Sequence, residues 1–227
     1  MKKVTILLIS FLICIMSVDI LWLFFPDYID RKYAIVLTIP VITLCYFLYT
    51  ELKNILYLLA LTTFMIADYY FFIEKSLANG IISSGIALSI YGVIVLKQSH
   101  YISTRRLLVN TIPFLAVYML PFLFFIDRIQ DAIFGEVIFY TFAIGYFSFM
   151  SIMTYFSRKN KVTKKLLMTG LSSAVMGILF GVYLFIDKNP IYSVLANVLF
   201  VYSHYKMWQY IITKDISNTI ENESIIL

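Results

Sequence analysis

Eight apolar stretches of about 17 to 24 residues follow one another along this chain and leave little room for anything else. Roughly 20 helical residues cross the ~30 Å hydrocarbon core of a bilayer, so each stretch is long enough to span it. They fall at about 4–25, 33–50, 55–73, 80–96, 107–126, 133–156, 165–186 and 190–213. Backbone amides and carbonyls cannot be left unpaired in lipid, which restricts spanning segments to helices or a closed barrel. Barrel strands alternate apolar and polar residues, and these runs do not. The expectation is an all-α fold, a polytopic integral membrane helical bundle of about eight transmembrane helices. It comprises a single transmembrane domain over 1–213 and a short polar cytoplasmic tail over 214–227.

Composition excludes the main alternatives. Hydrophobic residues make up 61% of the chain and charged ones 14%, against about 25% charged in a soluble domain. The net charge of +5 does not point to nucleic acid, because the basic residues sit mostly in short inter-helix loops, where they orient a membrane protein. With the N-terminus inside, the cytoplasmic segments hold Lys2, Lys3, Lys53, Lys97, Arg105, Arg106, Arg158, Lys159, Lys161, Lys164, Lys165 and Lys214, twelve in all. The opposite side holds five: Arg31, Lys32, Lys75, Arg128 and Lys188. That bias predicts cytoplasmic termini, and the expected location is the bacterial inner (plasma) membrane, crossed several times. Met1-Lys2-Lys3 and the apolar run after it resemble a signal peptide. No small-x-small cleavage site follows, so the segment reads as a retained first helix.

Acidic residues at membrane depth are costly and are usually kept for a pathway, a binding site or chemistry. Asp68, in Ala67-Asp68-Tyr69-Tyr70, lies about five residues inside the third span. Asp19, Glu136 and Asp187 lie nearer their span ends, where solvation is the plain alternative. In the expected orientation all four occupy the outer half of the bundle. Two carboxyls that meet in such a place can be one protonated and one ionised, the pairing that general acid–base hydrolysis uses. Cys14 and Cys45 form no disulfide or metal pattern. His100 lies in an inter-helix loop and His204 in the last span. Two histidines so placed do not make a zinc site, which needs three or more converging ligands. No metal or organic cofactor is indicated.

Short motifs then bring in a known family. Tyr205-Lys206-Met207-Trp208-Gln209-Tyr210-Ile211-Ile212 resembles the Tyr-Tyr-x-Ala-Gln-x-Leu-Ile of the YhhN-type lysoplasmalogenases. Ala67-Asp68-Tyr69-Tyr70-Phe71-Phe72 resembles their Gly-Asp-x-x-Leu-Leu. Ile39-Pro40-Val41-Ile42-Thr43 resembles their Lys-Pro-Leu-x-Thr without the lysine, and Gly177-Ile178-Leu179-Phe180 a Gly-Ala-x-x-Phe run shortened by one residue. The likeness runs in order from residue 39 to residue 212, through motifs that are each short and apolar. Where the family carries a second buried acid, this chain has Tyr183-Leu184, and the family's Ala-His falls near Ile90-Tyr91. Asp187, three positions beyond Leu184 and about one helical turn outward, is the candidate replacement for that acid.

The resemblance implies hydrolysis of the vinyl ether of a lysoplasmalogen-type lysolipid, giving a fatty aldehyde and a glycerophospho-alcohol. A vinyl ether is cleaved by protonating its β-carbon, after which water attacks the oxocarbenium ion. One carboxyl delivers the proton, and an ionised one stabilises positive charge and orients the water. The catalytic candidates are Asp68 and Asp187. The substrate-binding candidates are Tyr205, Gln209, Asp19 and Glu136, and the expected partner is a membrane lipid or lysolipid. Two other readings stand beside this one: a family member that binds a lipid or small amphiphile without turnover, and a transporter or sensor using its carboxylates as a proton relay. An enzyme needs two acids in one closed pocket. A binding protein keeps the pocket without the second acid, and a transporter needs a polar path to both faces.

Overall fold

The computed structural model describes residues 2–50, 53–98, 103–124 and 126–226, and among them every regular element is a helix. In chain order these are α1 (Lys2–Trp22), α2 (Arg31–Val36), α3 (Thr38–Tyr49), α4 (Ile55–Asp68), a π-helix (Tyr69–Glu74), α5 (Leu77–Gln98), α6 (Thr104–Leu123), two single 3₁₀ turns (Ile126–Arg128 and Asp131–Ile133), α7 (Phe134–Ser157), α8 (Lys161–Phe185) and α9 (Pro190–Ile226). Six segments of the described residues are long and apolar enough to cross a membrane: Lys3–Trp22, Arg31–Tyr49, Ile55–Glu74, Leu77–Lys97, Asp131–Ser157 and Lys161–Phe185. The molecule is a multi-pass helical membrane protein. His100 lies outside the described residues.

Local sequence explains where the helices start and break. Asn54 caps α4 by accepting from Tyr57 N, and Asn160 and Thr163 form a reciprocal capping box at the start of α8, each satisfying otherwise orphaned N–H groups. The second apolar stretch is not one continuous helix but α2 and α3, separated at Leu37. Pro40 accounts for the break, since its ring clashes with the carbonyl four residues back, that of Val36, and it has no N–H to donate.

The helices pack in a closed circuit: α4 on α5, α5 on α7, α7 on α8, α8 on α9, α9 on α1 and α3, and α3 back on α4. Without a strong hydrophobic drive between helices in lipid, close contact relies on small residues and on hydroxyls. Gly170 of α8 faces α7 at a place where a Cβ would come 2.6 Å from Ser151 Cβ. Ser148 Oγ donates to the Gly170 carbonyl at 2.9 Å, and Ser173 and Ser203 join α8 to α9 by a 2.7 Å hydroxyl contact. Other hydroxyls within the spans, such as Thr43, Ser151 and Thr154, donate to the carbonyl four residues earlier, so they carry no unpaired donor into the apolar interior. Inside the circuit lie Tyr46, Tyr57, Tyr91, Phe147, Met207 and Trp208, all essentially buried. Outside it, α1 turns Ile6, Phe11 and Ile13 outward, as a lipid-facing helix does.

Candidate functional site

A cavity of about 380 Å³ opens inside the circuit, and Asp68 lies in its wall. The residues around it follow from helical periodicity. On α4, Phe64 and Asp68 are four apart; on α8, Met176, Phe180, Tyr183 and Leu184 share a face; on α9, Ser193, Asn197 and Phe200 do the same. Each helix turns one stripe toward the same space.

Asp68 is only 5% exposed, and its Oδ2 has no hydrogen-bond partner among the described residues. It is the last residue of α4, and the backbone then changes from α to π over Tyr69–Glu74. The π segment ends at Lys75, whose φ of 58° is left-handed, and Ser76 N closes onto the Tyr70 carbonyl at 2.9 Å. Single π turns are frequent at functional sites because the extra residue re-aims side chains. Here Phe71 and Phe72 line the same cavity as Asp68, and Phe71 meets Phe180 of α8 edge to face at 5.7 Å.

The polar part of the wall centres on Arg31. Its Nε lies 2.6 Å from Asp19 Oδ1, its Nη1 donates to Ser193 Oγ at 3.1 Å, and its guanidinium carbon sits 4.6 Å from the centre of the Trp22 ring. Asn197 Nδ2 donates to the other carboxylate oxygen of Asp19 at 2.8 Å. Asp19 is fully buried, so it is paired inside the bundle rather than solvated at a span end. Five residues from α1, α2 and α9 thus form one polar cluster. Arg31, Ser193, Asn197 and Trp22 line the cavity, while Asp19 stands behind them. Tyr183, which occupies the region where the resemblance sets a second acid, also lines the cavity and lies within electrostatic reach of Arg31.

Of the six expected site residues, Asp68 lines the cavity and Asp19 stands behind its wall, paired with Arg31. Asp187 is exposed in the turn between α8 and α9, where its Oδ1 accepts from Asn189 N at 3.1 Å, and it does not line the cavity. Glu136, half-buried in the first turn of α7, does not line it either. Tyr205 and Gln209 bind each other, Gln209 Nε2 donating to Tyr205 OH at 2.6 Å, and Lys206 Nζ donates to Gln209 Oε1 at 3.3 Å. Gln209 lies nine residues beyond Phe200 on α9, roughly 13 Å farther along the axis at about 1.5 Å per residue. That cluster is a separate one.

Arg31, Ser193, Asn197, Trp22 and Ser84 are cavity residues that reading the sequence alone does not select. Arg31 reads there as one of the five outer-side basic residues. Asp30-Arg31-Lys32 after an apolar run is an ordinary loop signature, and Asp19 and Asn197 are 178 positions apart. Among the described residues, no group of three or more His, Cys, Asp or Glu side chains converges as a metal site would require. Fold and cavity together define a class: a multi-pass helical membrane protein with an aromatic-walled cavity lined by a buried carboxyl, Asp68, and an anchored guanidinium, Arg31. Comparison of the chain with models of known families, with curated proteins and with solved structures yields no match.

Proposed function

We propose that this protein is an integral membrane hydrolase that cleaves the vinyl ether of a lysoplasmalogen-type lysolipid, with Asp68 as the proton donor. The observation that carries the reading is the unpartnered, buried Asp68 carboxyl in a cavity with aromatic walls and one polar cluster. Small-molecule sites have this composition, mostly apolar with a few placed polar groups, and volumes of about 300–1,000 Å³. The motif likeness over residues 39–212 supports the same chemistry. In this reading the chain crosses the bacterial inner membrane eight times, α6 and the first part of α9 adding two crossings to the six segments described above. Both termini are then cytoplasmic, in keeping with the Lys and Arg distribution.

Asp68, protonated, gives its proton to the β-carbon of the vinyl ether, whose π-electrons form the new C–H bond. The resulting oxocarbenium ion lies beside the carboxylate just formed, which offsets its charge. Water adds to the cationic carbon and yields a proton to that carboxylate, so the acid is regenerated. The hemiacetal then collapses to an aldehyde and a glycerophospho-alcohol. Ser84 of α5 and Asn197 of α9 line the same cavity and offer the polar atoms that would hold the water. The two acids expected from the sequence do not meet in the cavity, so in this reading one carboxyl, Asp68, serves first as acid and then as base, and Asp187 takes no part.

A specific observation favours a second reading. Asp68 is the only carboxylate among the described residues that line the cavity, which suits a protein that binds a single-chain amphiphile without turning it over. Aldehyde release from a lysoplasmalogen by the purified protein separates the two. Hydrolysis that falls by about 10²-fold or more in Asp68→Asn, in line with the usual worth of a positioned general acid, supports the enzyme. Absence of aldehyde from the wild type, or full activity in Asp68→Asn, overturns it.

A further inference from the structure

The reaction above makes no use of Arg31, yet the bundle holds it in place at considerable cost. Burying an ion pair such as Arg31–Asp19 costs several kcal/mol of desolvation per charge, and well-packed apolar residues would join α1 to α2 at least as well. Four constraints fix the guanidinium. Asp19 takes Nε, Ser193 takes Nη1, Trp22 lies against its carbon, and Asn197 holds Asp19 from the far side. An arginine has five N–H donors in a rigid planar fork. Ser193 accepts from one of them and Asp19 pairs with the charge through Nε at 2.6 Å, and the group still forms part of the cavity wall.

We propose that Arg31 is the specificity residue of this cavity and that it recognises a phosphate group on the head of a single-chain lipid. The inference rests on the hydrolase reading for where the reacting bond lies, but not for the binding itself. A planar, preorganised fork matches the paired oxygens of a phosphate, and charge-assisted hydrogen bonds of this kind are about twice as strong as neutral ones. The surroundings fit the remainder of such a ligand. Ser193 bonds Arg31 and Asn197 bonds its partner Asp19, whereas Phe64, Phe71, Phe180 and Phe200 supply apolar wall. A phosphate at Arg31 directs the first carbons of the chain toward the aromatic residues and past Asp68. Asp19 does not touch the ligand in this arrangement. It is a positioning residue that keeps the fork aimed.

The test measures binding without turnover, using a saturated 1-alkyl lysophospholipid, which has no vinyl ether to cleave, and the matching 1-alkylglycerol, which has no phosphate. Wild-type protein in nanodiscs is expected to bind the phosphate-bearing ligand about tenfold or more tightly than the alkylglycerol, the gain typical of hydrogen bonds to a charged group. Arg31→Lys, which keeps the charge and loses the fork, narrows that preference. The double variant Asp19→Asn/Arg31→Gln, which leaves no buried charge unpaired, abolishes it while alkylglycerol still binds. Equal affinity of the wild type for the two ligands overturns the proposal, as does a preference that survives in both variants. Glycerol 3-phosphate separates the sources of the phosphate. Failure to compete at millimolar concentration places recognition on the lipid, and competition at the lipid's own affinity overturns the lipid assignment. If the preference is present and no aldehyde is released from a lysoplasmalogen, the hydrolase reading fails and the recognition site stands.

Discussion

The Tyr91 hydroxyl and His204 Nδ1 share a 3.0 Å hydrogen bond in the middle of the bundle, joining α5 to α9 where both side chains are almost fully buried. The imidazole packs edge-on against Phe64 at 4.4 Å and against Phe200 at 4.3 Å, and both rings line the cavity. The pair therefore supports part of the cavity wall from behind. Tyr91→Phe removes one partner and leaves a buried ring nitrogen unsatisfied, which costs about 1–3 kcal/mol. Added to His204→Leu, it should cost much less than the sum of the single changes. A double-mutant cycle on unfolding checks this, and a coupling energy below about 0.5 kcal/mol would contradict it.

Arg31 and Asp19 depend on each other in the same way, with larger stakes. Arg31→Met leaves the Asp19 carboxylate buried without its cation, a change that destabilises by about 3–5 kcal/mol in comparable buried pairs. Asp19→Asn/Arg31→Met removes both charges and should recover most of that loss. Thermal midpoints of the two variants in the same detergent decide it. A double variant no more stable than Arg31→Met would show that the pair does not act as a unit.

The α7–α8 contact at Gly170 leaves no room for a larger residue. A Cβ there meets Ser151 Cβ at 2.6 Å and the Ser148 backbone at 3.2 Å. Gly170→Val should therefore force the helices apart and cost about 1–3 kcal/mol, as overpacked cores do. Ser151→Gly in the same protein should return part of the loss. Unfolding midpoints are again the readout, and a neutral Gly170→Val would mean that the helices part freely.

Gln209 and Tyr205 form their own cluster with Lys206 near the middle of α9. If the proposed hydrolysis holds, Gln209→Ala and Tyr205→Phe are expected to leave KM for a lysoplasmalogen within about twofold of wild type, since neither side chain lines the cavity. A rise in KM of tenfold or more would tie that cluster to the ligand after all.

The helical class was legible from the apolar runs, because their length alone commits the backbone to helices in lipid. Asp68 was legible for the same reason: a carboxylate inside an apolar run stands out on energetic grounds. Its surroundings were not. Arg31 is an inconspicuous loop residue until the fold sets it against Asp19, Asn197 and Ser193, and no local pattern links residues so far apart in sequence. Asp187 looked like a neighbour of the cavity because it lies one turn beyond Leu184. The α8 helix stops at Phe185, however, and the one-turn spacing no longer applies past its end. The resemblance places a histidine near Ile90-Tyr91, whereas the imidazole that reaches Tyr91 is supplied by α9. Reading 33–50 as one span passed over the break at Leu37 that Pro40 imposes, and no glycine or proline marked the change from α to π after Asp68.

That change of helical form makes the cavity depend on chain length as well as on chemistry. A residue in an α-helix turns the chain by about 100°. Deleting Tyr70 would set each later residue of the segment back by about 100° around the axis. Phe72 would then take the place of Phe71 and Ile73 that of Phe72, so the wall beside Asp68 would lose one aromatic ring. The shape of the compartment thus depends on the residue count after Asp68, and a one-codon deletion would redraw it while leaving Asp68 and Arg31 untouched.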